Sequence, residues 1–176
     1  MMAPSGLGWL MLNISTLNSL GIPRPSVFEL GTSMTNFLSA QGIRGKQTLS
    51  PVAEVANNSG SGVTYNAGTS QITFTPGLYS ITFTYEAEHN NGACSLSSYF
   101  VDFPVGSVGA QRIHSTSSHN TGVLSNHGGN IIYTTRITSN FVWTIQLGRG
   151  QSGNCLGTGN TLFQKSTQIS ILRIGN

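Results

Sequence analysis

Phe74-Thr75-Pro76-Gly77-Leu78-Tyr79-Ser80-Ile81-Thr82-Phe83-Thr84-Tyr85 is the stretch that decides the fold. Pro76-Gly77 is turn chemistry, because proline presets one backbone angle and glycine tolerates the other. Beyond it, Tyr79, Ile81, Phe83 and Tyr85 fall on one side of an extended chain, and Ser80, Thr82 and Thr84 on the other. That period of two is what an antiparallel strand with one buried face requires.

The same pattern extends in both directions. Upstream, Ile72 and Phe74 alternate with Thr73 and Thr75. Downstream, further runs cover residues 97–103, 131–138 and 141–147, and Phe141, Trp143, Ile145 and Leu147 share a face. The last run, residues 168–174, is apolar on both sides: Ile169 and Ile171 on one, Leu172 and Ile174 on the other. Such a strand wants cover on both faces, either as a central strand or against another subunit. Stretches such as Asn57-Asn58-Ser59-Gly60-Ser61-Gly62 and Ser125-Asn126-His127-Gly128-Gly129-Asn130 read as the turns between strands. The expectation is an all-β, antiparallel jelly-roll sandwich over residues 46–176. Residues 1–45, interrupted by Gly21-Ile22-Pro23-Arg24-Pro25, read as an extended N-terminal arm with little core of its own and one or two helical turns at Met34 to Ala40.

Composition narrows the role. The chain has 176 residues, of which 7% are charged, against about 25% in ordinary soluble domains. Ser, Thr, Asn and Gly make up almost half of it. With 38% hydrophobic residues a core can be built, and disorder, which pairs low hydrophobicity with high net charge, is not expected. The net charge of +3 comes from eight scattered basic residues, and Arg44-Gly45-Lys46 is their densest grouping. That is no phosphate track, so nucleic acid is not an expected partner. The apolar stretch Leu7 to Leu12 has no preceding Lys or Arg, so a packing arm is favoured over a secretory signal.

Searching for chemistry returns little. Gly148-Arg149-Gly150-Gln151-Ser152-Gly153 matches a dinucleotide fingerprint in letters only, since a loop and no helix follows it; these read as turn glycines. A Ser-His-Asp set would have to use Asp102, the only Asp, and no nucleophile elbow is present. Glu86 and Glu88 share a strand face, as an exposed strand end also would. Cys94 and Cys155 sit in Gly- and Asn-rich surroundings and are either free or joined in a disulfide. No catalytic residue, cofactor or metal site is expected. His89, His114, His119 and His127 all stand in stretches of loop composition and read as surface histidines, with His114, His119 and His127 candidates for surface contact.

Residues 74–83 resemble the Pro-Gly-x-Tyr-x-Phe-x-Phe strand of C1q/TNF-like jelly rolls, with Ile81 where Phe is usual in animal members. Ser166-Thr167-Gln168-Ile169-Ser170-Ile171-Leu172-Arg173-Ile174 is similar to the last strand of bacterial and phage members. The resemblance covers residues 46–176. It implies a ten-strand sandwich assembled as a homotrimer, without enzymatic activity, that binds receptors, cells or surfaces. Tyr79, Ile81, Phe83, Tyr85, Phe141, Trp143, Ile169, Ile171, Leu172 and Ile174 would then serve core and trimer packing. The role expected is a structural and attachment protein on a virion exterior, such as a bacteriophage spike, vertex or fibre-tip protein. Its arm would dock on other capsid or surface proteins, and its loops would contact a host receptor or glycan. The alternative is a bacterial secreted or surface-displayed C1q-like adhesin or glycan-binding module.

Overall fold

A computed structural model describes residues 23–58, 60–89, 96–118, 125–150 and 160–176. Among them are fourteen strands. The first seven are β1 (Ser26–Leu30), β2 (Met34–Thr35), β3 (Lys46–Thr48), β4 (Val52–Ala56), β5 (Val63–Asn66), β6 (Gln71–Phe74) and β7 (Gly77–His89). The others are β8 (Leu96–Val105), β9 (Gly109–Ser118), β10 (Ser125–Ile137), β11 (Phe141–Thr144), β12 (Gln146–Arg149), β13 (Thr161–Leu162) and β14 (Gln168–Gly175). Strands β2, β3 and β13 have only two or three residues, and β11 and β12 are one run interrupted at Ile145. The remainder are the ten strands that the sequence resemblance implies.

The long-range pairings are nested. Strand β1 pairs with β14, β6 with β11, β7 with β10, and β8 with β9, all antiparallel. Concentric pairs of this kind are a long hairpin ribbon, and rolling the ribbon places successive pairs alternately in two layers. One layer is a seven-stranded sheet in the order β2-β13-β7-β14-β1-β4, with β10 on the other side of β7. The other consists of the sheets β11-β6-β5 and β3-β12-β8-β9. This is an antiparallel jelly roll.

The stretch that opened the sequence reading is the spine of the fold. Strand β7 runs thirteen residues, against about 5–6 in a typical strand, with strict alternation of buried and half-buried positions. It pairs with β10 along its whole length, from Gly77↔Ile137 to His89↔Ser125, and with β14 on its other side. Tyr79, Ile81 and Phe83 are fully buried between the layers, with Phe28, Phe74, Ile169 and Ile171. The Tyr79 hydroxyl lies 3.0 Å from Gly62 O and 2.9 Å from Thr75 O, so a ring at the bottom of the core still meets its polar requirement.

Two readings need correction. Residues 26–45 are not an arm: β1 lies between β14 and β4, and Phe28, Leu30, Phe37 and Leu38 are buried in the core. The expected helical turns at Met34 to Ala40 are the two-residue β2 followed by a hydrogen-bonded turn, with Ser39 N donating to Asn36 O. Residues 1–22 lie outside the described residues. Between Pro23, Pro25 and Gly31 the sequence Ser-Val-Phe-Glu-Leu alternates with Ser26, Phe28 and Leu30 inward, so five residues suffice for a strand once β14 offers an edge.

The second layer splits between β8 and β11. Pro104 brings no N–H to that edge, and the carbonyls there are satisfied from elsewhere: Trp143 Nε1 donates to Asp102 O (2.9 Å), and Thr135 Oγ1 to Pro104 O (2.7 Å). The split leaves a shallow cavity of about 200 Å³, lined by Lys46, Asp102, Pro104, Val142 and Trp143 among others.

Candidate functional site

The seven-stranded sheet has two faces. The inward one is the core; the outward one can be read from register, because residues paired across strands share a face. Ile132, Thr82, Ser170 and Val27 form one row across β10, β7, β14 and β1. Thr134, Ser80 and Leu172 form the next. Neither row holds a charged side chain. Glu29 and Arg136 stand in flanking rows, beside Gln168 and Leu78 respectively. Ile132 is 60% exposed, Ile174 45%, and Leu172 and Val27 are half-buried. A field of short hydroxyls flanked by branched aliphatics costs little to desolvate and can pack against another protein surface.

The residues expected to serve core and trimer packing therefore divide. Tyr79, Ile81, Phe83, Tyr85, Trp143, Ile169 and Ile171 are buried inside the protomer, and Phe141 packs against them half-buried. Leu172 and Ile174 lie outside that core, on or beside the outward face. The two apolar sides of β14 thus separate: Ile169 and Ile171 face the sandwich core, and Leu172 and Ile174 the outward side.

The histidines are placed differently from the sequence expectation. His127 is not in a surface-contact loop. It is the third residue of β10 and 1% exposed, and His89, the last residue of β7, is equally buried. His114 is exposed but lies within β9, its ring 5.6 Å from that of Phe100. His119, Cys94 and Cys155 lie outside the described residues. His89 and His127 enter the core with Tyr85 and Tyr99. Tyr99 Oη is 2.9 Å from His89 Nε2, and Tyr85 Oη is 3.2 Å from His127 Nε2. Burial pushes the Tyr85 phenol up to about 12, against a smaller opposite effect of its hydrogen bond with Ser115. One signal in the sequence could have located His89: the alternation of Tyr79 to Tyr85 continues in phase through Ala87 to His89.

Asp102 faces away from the core on β8. Arg112 grips it with two hydrogen bonds, Nε to Oδ1 at 2.7 Å and Nη2 to Oδ2 at 2.8 Å, and Lys46 Nζ stands 3.3 Å from Oδ2. The hydrogen bond from Arg112 holds the carboxyl below its ordinary value, with Lys46 adding to the effect and burial opposing it. The same guanidinium lies 3.7 Å above the Phe100 ring, which is buried on the outer face of the sheet. A carboxylate neutralised by two cations is a structural pin and a poor proton acceptor. Glu86 and Glu88 share a face, as expected, and Glu86 accepts a hydrogen bond from Asn126 Nδ2 at 3.1 Å. Gly148 is no turn glycine: it lies in β12, and a Cβ there would overlap the Phe100 ring.

No protein-family model matches the chain, and no curated protein matches it. Solved structures similar to it are those of murine APRIL at pH 5.0 and at pH 8.5 and of the Eiger TNF from S. frugiperda. The first is 11% identical, with 86% of this chain and 100% of that one covered and a TM-score of 0.49. The second is 10% identical over 86% and 100%, with a TM-score of 0.45. The third is 10% identical over 86% and 92%, with a TM-score of 0.45. These are likenesses of fold.

Proposed function

We propose that the chain is a non-enzymatic structural and attachment protein. It assembles as a homotrimer through the outward face of the seven-stranded sheet, on the exterior of a virion, as a bacteriophage spike, vertex or fibre-tip protein. The observation that carries this reading is the middle of the outward face, where exposed Ile132 and half-buried Leu172 stand beside Ser80, Thr82 and Ser170 in rows without a charged side chain. The occupant is a further copy of the same chain, because the two central rows present no charge for which a partner would supply the complement. Three copies is the number that the sequence resemblance implies.

The mechanism is geometric. Residues 1–22, with the apolar stretch Leu7 to Leu12, dock the chain on other capsid proteins, and the trimer projects three copies of its loop end toward a host receptor or glycan. Each contact is weak and polar, and three held at fixed spacing multiply in avidity.

Mass spectrometry of the chain isolated from its source tests the location. The reading expects the apolar stretch Leu7 to Leu12 to be retained in the mature chain. Loss of about twenty residues, the length of a cleaved signal, would favour the secreted or surface-displayed adhesin instead.

A further inference from the structure

Two histidines buried as deeply as core aliphatics stand at one end of the sandwich. His127 is paired with Ala87, two residues before His89, so both rings enter the core from adjacent inward positions of β7 and β10. Their centroids are 5.7 Å apart. The Tyr99 ring stacks on both, 5.7 Å from His89 and 5.1 Å from His127, and Tyr85 meets His127 edge-on at 5.4 Å. Tyr99 in turn touches Phe37, 5.6 Å away.

The charges around this box decide its chemistry. On β7, Glu86 and Glu88 fall on the opposite face of the strand. Strand β8 turns Tyr99 and Val101 inward and Asp102 outward. Strand β9 contributes Ser115, hydrogen-bonded to Tyr85, while His114 is exposed. On β12, register sets Arg149 opposite Tyr99; it is a cation, and its Nη1 donates to Gln41 O at 2.8 Å. The segments 90–95, 119–124 and 151–159, which continue from these strands, contain no Asp, Glu, Lys or Arg, and their titratable groups are Cys94, His119 and Cys155.

We propose that His89 and His127 form an acid-sensitive latch: neutral, they close this end of the sandwich, and on acidification they take up protons and release it while the opposite end stays folded. A neutral imidazole stacks between aromatic rings and accepts from a tyrosine hydroxyl. An imidazolium has no acceptor nitrogen, and neither the described lining of the box nor the segments that continue from it contain a carboxylate to pair with its charge. A second proton would place two cations about 6 Å apart at low dielectric. Proton uptake therefore favours the opened end, where histidine titrates near its ordinary value of about 6.5. The sign follows: closure is fully favoured above about pH 6.5 and is lost as pH falls. Each pH unit below that shifts the opening equilibrium by up to about 10-fold per histidine, or about 100-fold for the pair. The latch belongs to one protomer and does not rest on the assembly reading.

Hydrogen–deuterium exchange of the full chain at about pH 7.5 and about pH 5, corrected for intrinsic exchange rates, tests it. The expected result is 10- to 100-fold faster exchange at the lower pH in peptides covering residues 84–89, 96–100 and 125–130, with residues 168–172 unchanged. His89→Gln/His127→Gln should abolish the difference, and His114→Gln should leave it intact. If the double variant does not fold, histidine ring-proton NMR of the unaltered chain decides. Two rings that stay neutral through about pH 6.5 until the end opens bear the latch out; two that titrate independently there, without faster exchange, overturn it. Equal exchange at both pH values, or the same acid response in a folded double variant, also overturns it.

Discussion

Gly129 and Gly148 sit inside strands because an aromatic ring occupies the place of a side chain. A Cβ on Gly129 would overlap the Tyr85 ring, and one on Gly148 the Phe100 ring. Gly148→Val should therefore destabilise the fold by about 1–3 kcal/mol, the usual cost of overpacking, measurable by urea denaturation. These glycines also explain why the histidines looked like loop residues. Asn126-His127-Gly128-Gly129 has turn composition, yet Gly129 is there for close approach within β10, a cause that no local pattern reveals. Asp102 gives a second residue-scale prediction. Its carboxyl is held below the ordinary value, so its contribution is present above about pH 4 and lost as pH falls through the lowered value. Asp102→Asn should flatten that acid loss below pH 4 and cost about 1 kcal/mol at neutral pH, since it leaves Arg112 and Lys46 facing each other without a counter-charge. This window lies below that of the histidine pair, so the two are separable in one titration.

At the scale of elements, β7 was legible because alternation over many residues is a strong signal, and β14 because its two apolar faces demand cover. Strand β1 was not legible: five residues between prolines and a glycine carry too little periodicity, and only the edge offered by β14 makes them a strand. The consequence is testable. A chain beginning at residue 46 lacks the strand between β14 and β4, exposing the unpaired edge of β14, and should be insoluble or unfolded by far-UV circular dichroism where the full chain is folded. Within β7, Phe83→Ala removes a fully buried ring from between the layers and should cost about 3–5 kcal/mol. Thr82→Ser, on the outward face of the same strand, should change protomer stability by less than about 0.5 kcal/mol.

For the whole molecule, the scarcity of charge acquires a location. The outward field of Thr, Ser, Ile and Leu on the seven-stranded sheet is where a second copy meets little electrostatic repulsion, while charges stand at its margins, as Glu29, Glu86, Glu88 and Arg136, or on the other layer, as in the Asp102, Arg112 and Lys46 pin. The face was half-legible: the sequence marks Leu172 and Ile174 as needing cover, but their separation from Ile169 and Ile171 by a sheet's thickness appears only with the register. Leu172→Asp puts a charge in the middle of this face and should leave a folded monomer with an unchanged circular dichroism spectrum. The most direct test is light scattering coupled to size exclusion on the full 176-residue chain. The prediction is a mass three times the 18.6 kDa of one chain, falling to 18.6 kDa in Leu172→Asp. An unaltered chain that elutes as a stable 18.6 kDa monomer at micromolar concentration would contradict the account.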